Sequence, residues 1–227
     1  MAPRSRRYEK ALKMAQRGEA LGLDEAIEKI LAMPAANFDE TVECHVQLGI
    51  DPRHSDQQVR GSITLPHGTG SDTRVAVFAE GANADAARDA GADVVGSDEL
   101  VEQVEGGFLD FDVCLATPDM MSKVGRLGRI LGPRGMMPSP KSGTVRPDIA
   151  DAVGEFKAGK LEFRNDSGGN VHVPIGKRSF NAQELTENAM ALLEQLLRMK
   201  PTASKGPYFR KVCVASTMSP AVQVEFG

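Results

Sequence analysis

The chain has 227 residues, of which 41% are hydrophobic and 26% charged, a composition typical of one or two folded domains. It has no apolar run near the roughly 20 residues that a membrane-spanning helix needs, and its charged N-terminus lacks the apolar core of a secretory signal. We therefore expect a cytoplasmic protein with no membrane partner. The formal net charge of −4 argues weakly against nucleic acid, because phosphate binding needs Lys and Arg.

The charges are unevenly distributed along the chain. Residues 67–120 hold 2 Lys or Arg and 12 Asp or Glu, whereas residues 121–148 hold 6 and 1. The segments on either side are nearly balanced. The acidity is therefore mostly confined to one block, and a basic segment follows that block directly.

The first part of the chain has the patterns of two helices followed by two strands. Asp24 lies where an N-cap residue would start the second helix, and Pro34 ends that helix. From Thr41 the hydrophobic period changes to the alternation of a half-buried strand. The predicted elements are helix 4–17, helix 25–31, strand 41–48 and strand 59–65.

Short apolar strands that alternate with helices follow the breaker cluster Pro66–Gly70. Such alternation is typical of parallel βαβ units, and it predicts a small Rossmann-like α/β domain. The predicted strands are 74–79, 94–95 and 111–116, and the predicted helices are 84–90, 98–104 and one from Pro118.

The last part of the chain has the α+β type of pattern that is also found in the first part. Strands 160–164 and 171–175 are predicted to pair across the turn Asp166–Asn170, and Asn181 to cap a long helix, 184–199. Two strands, 212–216 and 222–226, follow. We therefore predict a discontinuous α+β domain, residues 1–67 and 160–227, with an α/β domain inserted at residues 68–159. The two crossings near 66–70 and 157–161 would form a double hinge.

The α/β pattern leaves a nucleotide-binding module or an enzyme as the alternative function. A Rossmann fingerprint is missing, because the first turn has a single glycine and an acidic residue, Glu80. Gly154, Gly159 and Lys160 have the spacing of a P-loop, but Leu161 stands where a Mg²⁺-binding hydroxyl is required. We therefore expect no cofactor.

Catalytic and metal-binding patterns are equally weak. His45, His54, His67 and His172 lie far apart without metal-ligand spacing, so we expect neither a metal site nor an enzyme. The three cysteines have wide spacing and apolar flanks, which favours buried strand residues over a disulfide framework. They are Cys44, Cys114 and Cys213.

The basic segment 123–146 combines cations with glycine and proline. Gly and Pro favour an exposed, rigid loop, which suits a phosphate backbone because little order must be imposed on binding. A solvated surface loop is the alternative, and composition does not decide between them. The five candidate contact residues are Lys123, Arg126, Arg129, Arg134 and Lys141.

Residues Gly128–Val145 closely resemble the signature of the ribosomal protein L-one family, a bacterial large-subunit stalk protein family. The family's signature reads G-R-I-L-G-P-R-G-x-M-P-x-P-K-x-G-T-V. The resemblance covers nearly the whole chain, and its other blocks keep the family's order and approximate spacing. Those blocks are 37–43, 51–53, 59–61, 65–68, 90–93, 116–119, 157–159, 163–166 and 216–218.

The resemblance implies the domain arrangement predicted above and a structural role in the large ribosomal subunit. The family's members bind a junction of 23S rRNA, form the mobile stalk beside the exit site and assist the release of deacylated tRNA. They also bind their own operon mRNA and repress its translation. A departure from the family occurs at Cys213, where serine is common, and another at Ser219, where glycine is common.

The resemblance places the main RNA contact on the discontinuous domain. Threonine hydroxyls would read 2′-hydroxyls, arginines would bind phosphate, and the carboxylates would accept from 2′-hydroxyl or amino groups. Phe38 would stack on a ribose or base, although core packing is equally plausible for a phenylalanine. The residues carried over are Phe38, Thr41, Glu43, Arg53, Arg164, Asp166, Thr217 and Met218.

Overall fold

The computed structural model describes residues 4–15 and 18–226, and its packing divides the chain into two compact units. Unit 1 consists of Met1–Ser71 and Phe163–Gly227, and unit 2 is Asp72–Glu162. Both units mix helices with strands, which confirms the mixed α/β class. Within the described residues, no helix is long and apolar enough to cross a membrane.

The predicted elements occur in their predicted order, with some differences at their ends, and a strand at 20–21 and a helix at 149–157 are additional. The helices are α1 (Arg6–Met14), α2 (Leu23–Ala32), α3 (Ala82–Asp89), α4 (Asp98–Glu105), α5 (Met121–Val124), α6 (Gly128–Arg134), α7 (Ile149–Lys157) and α8 (Ala182–Arg198). The strands are β1 (Ala20–Leu21), β2 (Thr41–Leu48), β3 (Arg60–Thr64), β4 (Val75–Phe78), β5 (Val94–Gly96), β6 (Val113–Ala116), β7 (Lys160–Arg164), β8 (Asn170–Lys177), β9 (Phe209–Ser216) and β10 (Val222–Val224).

The structure bears on three of the predicted helix ends. The predicted N-terminal helix extended to residue 17, but residues 16 and 17 lie outside the described residues. Gly22, not Asp24, is the N-cap of α2, and Asp24 lies in its first turn. At α8 the prediction is confirmed, because the Asn181 backbone N–H donates to the Glu184 carboxylate in a capping box.

Unit 1 contains a five-stranded sheet in the order β1-β10-β9-β2-β8. Strand β2 is antiparallel to both of its neighbours, β8 and β9, and its even-numbered side chains, such as Val42 and Val46, are buried. Helices α2 and α8 pack against each other and against these strands, which buries their apolar stripes. The side chains on the other side of the sheet, the open face, are half-buried or exposed; they are Thr41, Glu43, His45, Gln47, Asn170, His172, Lys211 and Cys213.

The predicted pairing of strands 160–164 and 171–175 is wrong. β7 pairs with β3 in a separate two-stranded sheet, and β8 pairs with β2. Asn165 explains the choice, because its side chain accepts a hydrogen bond from the Val59 N–H (2.7 Å) and its own N–H donates to the Val59 carbonyl (3.0 Å). A single bridge between Asn165 and Val171 is what remains of the expected hairpin.

Unit 2 contains a three-stranded sheet in the order β5-β4-β6. Both pairs of strands are parallel, so the predicted parallel pairing is confirmed. Strand β4 is buried on both faces, because one hydrophobic cluster joins it to α4, α5 and α6 and another joins it to α3 and α7. The sequence reading did not predict α7, whose residues Ile149, Val153 and Phe156 are buried in the second cluster.

The expectation of an exposed loop over residues 123–146 is wrong for its first half. Residues 121–134 form a helical run that consists of α5, a 3-10 turn and α6. The apolar residues Val124, Leu127 and Leu131 are spaced three to four residues apart and are fully buried. That stripe outweighs the poor helix propensity of the glycines, and Pro133 is tolerated near the helix end, which Gly135 closes in a left-handed conformation.

Candidate nucleic-acid interface

Two large apolar side chains are exposed near one end of strand β2. Phe38 lies in the segment between α2 and β2 and is 53% exposed, and Met218 lies in the turn between β9 and β10 and is 46% exposed. Because its side chain is exposed, Phe38 is not part of the hydrophobic core, which was one of the two alternatives that the sequence left open. Exposed aromatic and thioether groups next to polar side chains are suited to contact with a ribose or a base.

A buried carboxylate joins the segments that carry these two side chains. Glu40 is fully buried and accepts hydrogen bonds from the Ala36 N–H (2.6 Å) and the Met218 N–H (3.3 Å). It also accepts a short hydrogen bond from the Ser216 hydroxyl. Glu40 therefore fixes the position of the Phe38 segment relative to the Met218 turn.

The Arg178 guanidinium lies close to the same carboxylate, at 3.8 Å from Glu40 Oε2. Arg178 also donates to the carbonyl oxygens of Leu31 and Met33, so it links Glu40 to the end of α2. Burial alone would raise the pKa of Glu40. The hydrogen bonds from Ser216, Ala36 and Met218 and the charge of Arg178 outweigh burial and lower this pKa below its ordinary value, so Glu40 is ionised at neutral pH.

Thr41 and Thr217 are adjacent across the ends of β2 and β9. The Thr217 hydroxyl hydrogen-bonds to both the backbone N–H and the carbonyl of Thr41. The Thr41 hydroxyl accepts from the Lys177 ammonium at 2.9 Å. Both hydroxyls that the resemblance implied for RNA contact therefore already have partners within the protein, although Thr217 is exposed.

The turn that carries Met218 is closed by Ser219. The Ser219 hydroxyl accepts from the Ser216 N–H at 2.9 Å, and the Ser219 N–H donates to the Ser216 carbonyl at 3.0 Å. The residue that departs from the family's glycine thus holds the turn closed through its own hydroxyl.

Glu43 and Asp166 flank a pair of histidines on the open face. The Nδ1 atoms of His45 and His172 are 2.9 Å apart across β2 and β8, so one ring donates and the other accepts. Glu43 lies 3.8 Å from His45 Nε2, and Asp166 lies 3.6 Å from His172 Nε2. Burial and the neighbouring His172 lower the pKa of His45, and Glu43 partly opposes them.

Asp166 also organises the turn that precedes β8. Its carboxylate accepts from the backbone N–H groups of Gly168 (2.8 Å) and Asn170 (2.7 Å). The Asn170 side chain adds a further hydrogen bond, and together these hydrogen bonds lower the pKa of Asp166, although burial opposes them. Asp166 is therefore a charged turn residue whose carboxylate also lies next to His172 on the open face.

The predicted site residues fall into two groups along β2. Phe38, Thr41, Thr217 and Met218 lie together at one end, with Glu43 next in the strand. Asp166 lies with Arg164 at the other end, and Arg53 is exposed in the turn that follows β2. The histidine pair lies between Glu43 and Asp166 and connects the two groups, so the predicted set is an extended strip along β2.

The basic segment of unit 2 is only partly available for ligands. Arg126, Arg129, Arg134 and Lys141 are exposed. Lys123 is bound to Asp98 and Glu80, with hydrogen bonds of 3.0 and 2.8 Å that raise its pKa. Lys123 therefore differs from the other four predicted cations, because two acidic residues already compensate its charge.

The near match to a P-loop has a different local structure. Gly154 lies inside α7 and Lys160 starts β7, so these residues do not form a phosphate-holding turn between a strand and a helix. The Lys160 ammonium is bound by Glu155 at 2.5 Å. In the described part of the chain, no group of three or more His, Cys, Asp or Glu residues is arranged to hold a metal ion.

The cysteines are free among the described residues, and two of the three match their prediction. Cys44 and Cys114 are buried strand residues, and burial raises the pKa of the Cys44 thiol to about 12. Cys213 is only half-buried, because it lies on the open face opposite His45.

The sequence matches the model of the Ribosomal protein L1p/L10e family over residues 28–220. The chain belongs to this family. It is 55% identical over 225 residues to a protein of Kosmotoga olearia that is named large ribosomal subunit protein uL1, covering 99% of this chain and 97% of the relative. It is 53% identical over 222 residues to the protein of the same name from Cutibacterium acnes, covering 98% of this chain and 96% of that relative.

Both relatives bear the name of a ribosomal protein and not that of an enzyme, which agrees with the expectation that the chain is not an enzyme. The family membership confirms the resemblance of residues 128–145, which lie within the matched range. It also places residues 37–43 and 216–218, which form the exposed end of β2 and the adjacent turn, inside that range.

Sequence reasoning missed Glu40, Arg178 and the histidine pair. Glu40 lies within the family block 37–43, and nothing in the local pattern distinguishes a buried acidic side chain from a solvated one directly before a strand. His45 and His172 both occupy the exposed parity of alternating strands, so the pattern could have placed them on one face. Their contact depends on the register of β2 against β8, which the pattern does not give.

Proposed function

We propose that this protein is a structural constituent of the large ribosomal subunit that binds the stalk junction of 23S rRNA. The exposed pair Phe38 and Met218, held in place by the buried Glu40, is the observation that carries the proposal. RNA helices present 2′-hydroxyls and base edges in a shallow groove, and a preformed surface with aromatic, thioether and hydroxyl groups can contact them. The names of the two relatives support the same role.

The two units correspond in this proposal to two functional domains. The discontinuous domain, 1–67 and 160–227, anchors the protein to rRNA through the strip along β2. The inserted Rossmann-like domain, 68–159, adds a second, electrostatic contact through Arg126, Arg129, Arg134 and Lys141, all of which are exposed. The acidic remainder of the inserted domain then faces away from the RNA, because like charges repel.

The resemblance to the family supports a proposed cellular role. The protein forms the mobile stalk beside the exit site of the cytoplasmic ribosome and assists the release of deacylated tRNA. It also represses translation of its own operon mRNA by binding a fold similar to the rRNA junction. In this proposal the open face of unit 1 binds both the rRNA junction and the mRNA, because RNA helices are recognised by their shape and 2′-hydroxyls more than by their base sequence.

A binding titration with a transcribed 23S rRNA stalk-junction fragment tests this proposal. We expect salt-sensitive binding, and Phe38→Ala or Met218→Ala should raise Kd by about tenfold, since stacking and hot-spot contacts contribute roughly 1–3 kcal/mol. Met190→Ala is the matched control, because Met190 is 39% exposed on α8, on the covered side of the sheet. A wild-type protein that ignores the fragment at low salt would contradict the proposal.

A further inference from the structure

The N-terminal helix is strongly basic in a chain whose net charge is negative. The segment from residue 4 to residue 14, which contains α1, holds one anion, Glu9. Five cations surround it in sequence, so the segment carries a formal charge of +4. They are Arg4, Arg6, Arg7, Lys10 and Lys13.

Arg7 attaches this helix to both segments of the exposed end of β2. Its Nη1 donates to the Pro34 carbonyl at 3.1 Å, and its Nη2 donates to the Met218 carbonyl at 3.0 Å. Pro34 starts the segment that carries Phe38, so one guanidinium joins α1 to the two exposed apolar residues. The basic helix is therefore placed beside the proposed RNA surface.

A shallow cleft of about 370 Å³ lies between α1 and the Met218 turn. Arg4 and Tyr8 form one wall, where the Arg4 guanidinium lies 5.4 Å from the centre of the Tyr8 ring. Met218 and Thr217 form the opposite side. In the described part of the chain, no carboxylate makes an ion pair with Arg4, so its charge is available to a ligand.

We propose that this cleft holds one nucleotide of the bound RNA, with its base against Tyr8 and Met218 and its phosphate on Arg4. The inference rests on the proposed RNA-binding function and adds α1 to the contact surface. Unstacked RNA bases stack on aromatic rings and guanidinium planes, and arginine binds phosphate through paired hydrogen bonds. The volume lies at the lower end of the range for small-ligand sites, about 300–1,000 Å³.

The test is a titration of the full-length protein with the transcribed stalk-junction fragment over a series of salt concentrations. Arg4→Gln should raise Kd about three- to tenfold and reduce the slope of log K against log salt by about 1, since one phosphate contact is lost. Tyr8→Leu should raise Kd about fivefold or more and leave the slope unchanged, because it removes stacking and no charge.

Lys13→Gln is the matched control. Lys13 lies in the last turn of α1 and is exposed, and it does not line the cleft, so the same charge is removed from the same N-terminal segment. We expect its Kd to change less than twofold. If Arg4→Gln and Tyr8→Leu bind like Lys13→Gln while Phe38→Ala is weakened, the cleft is not a nucleotide site and the proposed function stands. If the wild-type protein does not bind the fragment, the proposed function is wrong and the inference is wrong with it.

Discussion

The Thr217 hydroxyl lies 3.0 Å from the Thr41 backbone nitrogen and 3.2 Å from the Thr41 carbonyl oxygen. The Thr217 N–H also donates to that carbonyl at 3.0 Å, so the pair extends the β2–β9 ladder by one step. This hydroxyl consequently holds the start of the Met218 turn against β2. We therefore predict that its main contribution to the proposed RNA binding is to position Met218, and that direct contact with a 2′-hydroxyl is secondary.

Thr217→Ala separates these two contributions. The substitution leaves the Thr41 N–H without its acceptor, and we expect the free energy of unfolding to fall by about 1 kcal/mol. Kd for the rRNA fragment should rise, because the Met218 turn is less well fixed. Thr217→Ser keeps the hydroxyl and should restore both quantities to near their wild-type values in urea unfolding and binding titrations. An alanine variant with unchanged stability and weakened binding would show instead that the hydroxyl contacts RNA directly.

Glu40→Gln tests the buried carboxylate. The variant removes the charge that faces Arg178, whose side chain is 12% exposed, and it weakens hydrogen bonds from three donors. We expect the free energy of unfolding to fall by about 2–3 kcal/mol, because breaking a buried pair leaves the partner's charge uncompensated. Urea unfolding measures this change.

The control for Glu40→Gln is Glu43→Gln, three residues along the chain. The Glu43 side chain is 43% exposed on the open face, so its stability change should stay within about 0.5 kcal/mol. Equal stability changes in the two variants would show that Glu40 does not organise the two segments.

His45 should make stability depend on pH in the mildly acidic range. Burial, and then the charge of His172, hold the pKa of His45 below its ordinary value of 6.5. The unfolded chain therefore binds this proton more readily than the folded chain, and stability decreases as the pH falls below about 6.5. Other groups that face the pair are Glu43, Asp166, Lys211 and Cys213.

The comparison of wild type with His45→Gln isolates this contribution, because the other titrating groups are common to both proteins. Urea unfolding at pH 7.5, 6.0 and 5.0 should show that the wild type loses more stability on acidification than the variant. The same loss in both proteins would mean that His45 has no part in it.

The cations of unit 2 should differ in their effect on RNA binding. Arg129→Gln should weaken binding to the rRNA fragment and reduce the salt slope by about 1, since Arg129 is exposed. Lys123→Gln should change the slope less, because Asp98 and Glu80 already compensate the Lys123 charge. Titrations over a salt series compare the two variants directly. A larger change of the salt slope in Lys123→Gln than in Arg129→Gln would contradict this prediction.

Structural elements that depend on short-range sequence patterns were predicted well. The alternation from Thr41 predicted β2, the capping residue Asn181 predicted the start of α8 to within two residues, and the alternation of strands and helices in the middle of the chain predicted the parallel sheet. Each of these signals depends on residues within a few positions of one another. The failure at residues 121–134 had the opposite cause, since burial of Val124, Leu127 and Leu131 overrode the local preference of Gly and Pro for a loop.

The family, the mixed α/β class and the nature of most elements could be predicted from the sequence, because signature blocks and hydrophobic periods are local properties. The surface that is available to a ligand could be identified only in the folded protein. The Thr41–Thr217 pair and the Glu40–Ser216 hydrogen bond join residues 176 positions apart, and the His45–His172 contact joins residues 127 positions apart. Such contacts depend on strand order and register, which are set by packing of the whole sheet against α2 and α8.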